Sequence, residues 1–552
     1  MSYKQRITMH ADVSFVLSLF AGFLIGLFAP FELYLSNKYS FFFSGEEMLI
    51  FAIPIFVGIT VGGTILLQVL SAFNQTLYKY ITSILFSILV FLYFQGNFDQ
   101  TEYGVWDGSK IVWDKYVVQE IIWLIILIIC VITVLFMAYK FELTRLKRII
   151  KYVSVCMILL QLFTLSTLLI TKGGIKKDPE YLAIEDGENE FSKEENIILL
   201  ILDSYDGMML TRIIDEDYSG YYSEILRDFT FYPDTAGAYS YTNLAIPHII
   251  TGQKYYNDMT YGDYLNKAYS NSMLLGRLKD NGWRIGIYSE ALFPENDAVQ
   301  DIIDNSRQIK RTVSSHVRLA KYIYGFVGFR YLPQPIKRYF VFYPSDMEAQ
   351  IGDNEGGYTL FDQTNDHFER VMHESEAVND IKNFKILHIY GAHPPYHLKD
   401  DNTYSETETS EKEVCKANLE LADAFLDKLR EIGAYDNSTI IICADHGVLQ
   451  SRQNPLFMIK YKTDEHDFQI EDTAFSYDSL QDVLCSLAEG KDKAFIEEQI
   501  DSFKDNERVY LNYSHDTLNM HSYCQDIEEY LVTGKAYTET GLKATGKVYG
   551  RQ

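Results

Sequence analysis

Cysteine is scarce in this chain, with six in 552 residues, at positions 130, 156, 415, 443, 485 and 524. They form no C-x-x-C pair and no zinc-like spacing, and two fall in apolar stretches, so neither a disulfide framework nor a zinc ribbon is indicated. Positive charge is also short: 49 Lys and Arg stand against 75 Asp and Glu, a formal net charge of −26. A surface of that sign repels phosphate backbones, which disfavours nucleic acid as a partner and leaves room only for local pockets that hold a phosphate group. No internal repeat or low-complexity tract occurs, and a hydrophobic content of 47% excludes a disordered or collagen-like chain.

The acidity is unevenly placed. Residues 1–175 carry 12 basic and 10 acidic side chains, leaving 37 against 65 for the remainder. The first part instead holds apolar runs at 13–30, 49–72, 77–95, 119–139 and 149–171, close to the roughly 20 residues that a bilayer-spanning helix needs. No small-residue cleavage site follows the first run and four more come after it, so it is expected to remain as a span. Ser and Thr occur within the runs but hardly any ionisable residue, so no proton relay or ion path is expected, and a transporter is disfavoured.

Lys4, Arg6, Lys79, Lys140, Arg145, Lys147, Arg148 and Lys151 fall in the tail and loops of one side, against Lys38, Lys110 and Lys115 on the other. This bias places the N-terminus in the cytoplasm and the chain after the fifth run outside. Lys172, Lys176 and Lys177 run against it, but they precede a long domain that would translocate regardless. The expected organisation is a five-helix transmembrane domain at 1–171, a polar linker at 172–195 and an extracytoplasmic domain at 196–552, in a multi-pass protein of the cell membrane.

In that last domain, apolar runs at 197–203, 283–289, 384–390, 438–444 and 455–461 read as strands buried on both faces of a sheet. Helical patterns at 271–281, 361–377 and 411–431 lie between them, which predicts an α/β fold with a mostly parallel central sheet. From about 505 onward, RVYLNYSH, EEYLVTG and GKVYG predict a small antiparallel subsheet.

Ligands of open α/β sheets bind beyond the carboxyl ends of the strands, so polar residues there carry the chemistry. One strand ends at Asp203 in LDSYDG, another runs into HIYGAHPPYH and a third into ADHG, bringing an acid, a histidine cluster and an Asp-His pair to one edge. Carboxylates with an imidazole suit Mn²⁺, Mg²⁺ or Zn²⁺, a cation that stabilises charge on a transferring phosphoryl group. In YTNLAIPHIITG, Thr242 precedes a short helix ended by Gly252, and a hydroxyl at a helix N-terminus sits in a potential that favours its alkoxide and binds phosphate oxygens. The plainer reading makes Asp203 and Thr242 helix caps and Asp445-His446 the start of a turn. Ser240 is a weaker candidate for the role of Thr242.

Together these segments resemble the alkaline phosphatase/sulfatase superfamily. Within it they resemble the membrane-anchored branch of lipoteichoic acid synthases and lipid A phosphoethanolamine transferases, which share a five-helix membrane domain, a linker and a sulfatase-like ectodomain. The likeness spans about 196–490 and, through the membrane architecture, reaches nearly to the N-terminus. It rests on an acid-ended first strand, T-x-x-x-x-P before I-x-T-G, H-x-x-G-x-H and D-H-G in that order.

The resemblance implies that one divalent metal ion is held by Asp203, Thr242, Asp445 and His446, and that Thr242 is the nucleophile. It implies that His393 contacts substrate or protonates the leaving group, with His388 a further substrate contact. The implied donor is a membrane phospholipid and the implied acceptor a cell-surface glycan or glycolipid. The chain departs from the transferases at Asp203, where they have Glu, and after D-H-G, where VLQSRQ lacks a histidine-bearing insert; His515 and His521 are not expected to compensate. YTNLAIP lacks the Cys and Arg of a formylglycine site, which disfavours sulfate ester hydrolysis. An anchored phosphodiesterase or phosphatase, and a noncatalytic binding ectodomain, stand as alternatives.

Overall fold

All five apolar runs are helices long and apolar enough to cross a bilayer: α1 His10–Ser36, α2 Gly45–Phe73, α3 Gln75–Phe98, α4 Trp113–Lys140 and α5 Leu143–Thr171. The computed structural model describes residues 3–101, 103, 111–177, 180–291, 293–294, 297–341, 344–447, 453–513, 518, 520–538 and 541–550. Lys110 and His515 lie outside the described residues. The chain folds into two compact units, Met1–Pro179 with Lys310–Gly356, and Glu180–Ile309 with Gly357–Gln552.

In the first unit α1 is the buried helix, whereas α2, α4 and α5 present rows of exposed Ile, Leu and Val, as lipid-facing helices do. Gly22 and Gly26, one turn apart, let α2 approach: a Cβ at Gly26 would lie 2.6 Å from Phe56 Cα, and one at Gly22 2.3 Å from Thr60 Oγ1. Small residues at this spacing are the usual means of close packing in lipid, where burial gains little over contact with acyl chains. Pro30 has no N–H to donate to the preceding turn, and just upstream α1 widens into a π-helix over Phe23–Phe28.

Residues 310–356, expected within the 196–552 domain, belong instead to this unit. Their helix, His316–Tyr331, is held to the ends of α1 and α3. Arg330 donates to Glu32 Oε1 at 2.8 Å and to Gly96 O at 2.9 Å, and Tyr331 Oη donates to Glu32 Oε2 at 3.0 Å. Next to it, Lys337 Nζ reaches Asp99 Oδ2 at 2.5 Å, and both side chains are buried. Glu32 is itself a buried acid in α1, outside the apolar run at 13–30. Burying it without a partner would cost several kcal/mol, and the partner arrives 298 residues later in sequence.

The second unit is built on a seven-stranded sheet. Its strands are β1 Asn196–Leu202, β2 Thr230–Phe231, β3 Arg284–Tyr288, β4 Asn383–Ile389, β5 Ser438–Cys443, β6 Phe457–Lys460 and β7 Gln469–Ile470, in the order β7-β2-β6-β5-β1-β4-β3. The four strands β5, β1, β4 and β3 are mutually parallel and fully or almost fully buried, as their unbroken apolar runs require. β6 pairs antiparallel with both β5 and β2, so the sheet is mixed. The tail forms the expected antiparallel subsheet, β8 Val509–Asn512, β9 Ile527–Val532 and β10 Leu542–Tyr549.

The segment 180–195, expected in the linker, is part of this unit. Glu180–Ala183 pairs antiparallel with Ser306–Ile309, and Glu190–Ser192 pairs parallel with Glu376–Asn379. Charge and turn residues made it read as a tether, but short edge pairing is indifferent to side-chain polarity.

Candidate metal centre

Strand register brings the site together. Ile201 in β1 pairs with His388 in β4 on one side and with Cys443 in β5 on the other. Asp203 and Asp445 each stand two residues beyond that level, on neighbouring strands that run about 4.8 Å apart. His388 therefore flanks Asp203 from the opposite side to Asp445. Asp203, His388 and Asp445 are all buried and offer ligand atoms that lie within 4.8 Å of one another.

Two backbone devices hold this geometry. Ser204 adopts a left-handed conformation, φ 60°, which turns its amide to donate to Asp445 Oδ1 at 3.1 Å, while its hydroxyl donates to Asp203 Oδ1 at 2.9 Å. Gly391, φ 59°, carries the chain after β4 directly against the end of β1: a Cβ there would sit 2.3 Å from Asp203 N. Ala392 N then donates to Asp203 O at 2.8 Å.

Thr242 opens the helix Thr242–Thr251, ended by left-handed Gly252 as expected. Tyr241, not Thr242, is the N-cap, and no side chain caps the helix. The Thr242 hydroxyl turns instead to the carboxylates and the imidazole, with Oγ1 at 3.5 Å from Asp203 Oδ2 and 3.4 Å from His446 Nε2. Ser240 is elsewhere engaged: it is buried, and its Oγ accepts from Tyr513 N at 3.1 Å.

His446 Nδ1 donates to Gly447 O at 2.8 Å, which leaves the Nε2 lone pair directed at the acids. Nε2 lies 3.6 Å from Asp203 Oδ1 and 3.5 Å from Asp445 Oδ2. His388 Nε2 lies 3.6 Å from Asp203 Oδ2, and its Nδ1 is fixed by Ser289 Oγ at 3.0 Å. Gly447 N donates to Gln453 Oε1 at 2.9 Å, which anchors the D-H-G turn.

A cation fits this donor set. His388 Nε2 and Asp445 Oδ2 are buried without a hydrogen-bond partner, an arrangement costly for polar atoms unless something else meets them. Four ligands at about 2.1 Å in a tetrahedron stand about 3.4 Å from one another. The approaches of Thr242, His446 and His388 to Asp203, of His446 to Asp445 and of Thr242 to His446 run from 3.4 to 3.6 Å. Asp203, His388 and Asp445 are the residues whose ligand atoms converge and that would hold it, with Thr242 and His446 beside them.

The same demand for positive charge shows in the ionisation of Asp203 and His388. Burial pushes the Asp203 carboxyl up, but the neighbouring imidazoles of His388, His446 and His393 prevail and hold it below the usual carboxylate range. Burial pushes His388 down, and Asp203 and Asp445 more than offset this, so its imidazole holds a proton more tightly than usual.

The resemblance assigns His388 to the substrate; fully buried behind Asp203, it is placed to ligate a cation instead. His393 is half-buried, with Nδ1 on Pro394 O at 2.6 Å. His521 is exposed. Ser204, Ser289 and Gln453 carried no sequence signal, because each acts through backbone geometry or a hydrogen bond, whereas Gly391 is the glycine of H-x-x-G-x-H.

No protein-family model and no curated protein matches this chain. Solved structures do resemble it. A structure of Ps i-CgsB in complex with k-i-k-neocarrahexaose is 12% identical over 61% of this chain and 82% of its own, with a TM-score of 0.39. A protein of the alkaline phosphatase superfamily from Vibrio parahaemolyticus is 12% identical over 68% of this chain and 81% of its own, with a TM-score of 0.34. The phosphonate monoester hydrolase SpPMH from Silicibacter pomeroyi is 10% identical over 64% and 88%, also at 0.34. At these scores the fold assignment stands on the sheet order and register described above.

Proposed function

We propose that this protein is a membrane-anchored, metal-dependent enzyme of the alkaline phosphatase/sulfatase type that transfers a phospholipid headgroup, phosphoglycerol or phosphoethanolamine, to a cell-surface glycan or glycolipid. Its N-terminus is cytoplasmic and its catalytic unit extracytoplasmic. The observation that carries this reading is the placement of the Thr242 hydroxyl, at a helix N-terminus and within 3.5 Å of both Asp203 and His446.

A divalent cation held by this cluster supplies Lewis acidity, lowering the pKa of the Thr242 hydroxyl and neutralising charge on the phosphoryl oxygens. Thr242 Oγ1 attacks phosphorus as its proton passes to Asp203 Oδ2, and the backbone N–H groups at the start of its helix face the phosphate oxygens. The bond from phosphorus to the glyceryl oxygen of diacylglycerol breaks, and that oxygen takes a proton from His393 Nε2. The headgroup is then a phosphodiester on Thr242. In the second half His393 accepts the proton of an acceptor hydroxyl, whose oxygen attacks phosphorus. Thr242 Oγ1 departs and recovers its proton from Asp203. Anchoring suits this chemistry, since donor and site share one membrane surface.

Mass spectrometry of the purified full-length protein, incubated with phosphatidylglycerol or phosphatidylethanolamine, tests the reading. A headgroup-sized adduct on Thr242, absent in Thr242→Ala, is expected. Headgroup release to water without transfer would make the protein a phosphodiesterase, and absence of both adduct and turnover would leave a binding domain.

A further inference from the structure

A cavity of about 660 Å³ lies in the first unit and opens where α1 and α3 end, closed on its third side by the helix His316–Tyr331 and the turn that follows it. Its volume is within the roughly 300–1,000 Å³ typical of ligand sites. α1 and α3 are separated by the one span α2, so both of these ends lie at the same membrane face.

The wall is mixed in chemistry: Leu33, Phe41, Phe326 and Phe329 line it together with Arg330 and with amide and hydroxyl side chains that include Asn97 and Ser40. Arg330 spends Nη2 on Glu32 and Nε on Gly96 O, which fixes its plane. Among the described residues Nη1 has no partner, and the side chain remains about a third exposed at 34%. Lys337 is different: it is buried against Asp99, with its ammonium over the Tyr103 and Phe329 rings, and it serves the wall. The cavity thus offers a rigid guanidinium edge beside an aromatic slot. Beside Asn97, exposed Phe94 and Phe98 stack 5.6 Å apart on α3.

We infer that this cavity binds the phosphate and glycerol of a phospholipid from the surrounding bilayer, with its acyl chains running down over the apolar faces of the spans. Arg330 Nη1 meets the phosphate, for which a planar guanidinium is suited. The aromatic slot takes the glycerol and the first methylenes, and Phe94 and Phe98 continue the apolar path. A bilayer lipid is the occupant because the cavity stands at the span ends, where headgroups sit, and because its walls pair one anion donor with apolar surface. The site is formed entirely by the first unit and does not depend on the chemistry of Thr242.

Native mass spectrometry of the full-length protein, released from nanodiscs of phosphatidylglycerol, phosphatidylethanolamine or diacylglycerol, tests the inference. The wild type is expected to retain one phospholipid of either headgroup and no diacylglycerol. Arg330→Gln alone strands buried Glu32, so the charge is removed with the double variant Glu32→Gln/Arg330→Gln. Ser40→Trp, from the exposed rim, fills the cavity without touching the ion pair. Both are expected to lower lipid retention at least tenfold, whereas Thr242→Ala retains it fully. Equal retention by wild type and both variants, or equal retention of diacylglycerol, would overturn the site. Competition by soluble glycerol phosphate at the affinity of the lipid would show a free-phosphate pocket and overturn the bilayer source.

Discussion

Gly391 and Asp203 touch through their backbones: no side chain fits at Gly391, because its first carbon would lie 2.3 Å from Asp203 N, and its φ of 59° favours glycine independently. The loop after β4 thereby presses on the end of β1 and sets the position of the first acid. Gly391→Ala is expected to displace Asp203 by a sizeable fraction of an ångström and to cost on the order of 1–2 kcal/mol for the left-handed backbone alone. Activity should fall roughly 10²-fold, the usual penalty for a 1 Å misplacement of reacting groups. Activity and metal affinity equal to wild type would show that the contact does not position the site.

Thr242 and Ser240 are two residues apart and face different neighbours. Thr242→Ala is expected to abolish turnover and leave the unit folded, since the hydroxyl caps nothing. Ser240→Ala should keep activity but lose about 1 kcal/mol of stability, the cost of the hydrogen bond to Tyr513 N. Turnover by Thr242→Ala, with loss in Ser240→Ala, would move the nucleophile.

The two histidines of H-x-x-G-x-H are expected to separate by assay. His388→Ala removes a buried candidate ligand and should weaken metal affinity, read by calorimetry, by at least about 10- to 100-fold, the loss typical even of an outer-shell change. His393→Ala should leave metal affinity intact, slow turnover by about 10²- to 10⁴-fold and let the headgroup adduct accumulate. The opposite pattern would exchange their roles.

Lys385, in the middle of β4, is fully buried, and its ammonium donates to Gly187 O at 2.6 Å and Glu188 O at 2.5 Å. Burial pushes its pKa down to about 7 from an ordinary 10.5, against the opposing pull of Glu188. Between those values the unfolded chain holds a proton that the folded chain has released, so this residue makes stability rise as pH climbs from about 7 to about 10.5. Below the lower value both states are protonated and the dependence vanishes. The stabilities of wild type and Lys385→Met from chemical denaturation should diverge across this range by up to roughly 1.4 kcal/mol per pH unit, a few kcal/mol in all. Parallel curves would refute the shift.

The proposed orientation rests on loop charge and is checked by fusions. A reporter that works only outside the cytoplasm should be active when fused after residue 175 and silent in the loop 140–148. The reverse result would put the catalytic unit inside the cell, away from any surface glycan.

The apolar periodicities by themselves determined the five long apolar helices, the buried strands β1, β3, β4, β5 and β6, and the antiparallel tail, because an unbroken hydrophobic run has few other places to go. The placement of Asp203, Thr242, Asp445 and His446 at strand or helix ends was likewise legible, because it follows from where the apolar runs stop. Three-dimensional pairing decided the rest. That β6 runs antiparallel, that 180–195 is edge strand rather than tether and that 310–356 belongs with the membrane helices depend on partners far away in sequence, which local pattern cannot encode. Glu32 and Arg330 illustrate the reason: neither is interpretable alone, and only the fold supplies each with the charge that makes its place tolerable. His388 is the same lesson at the site, a strand residue whose period put it in the core and whose register with Ile201 put its Nε2 beside Asp203.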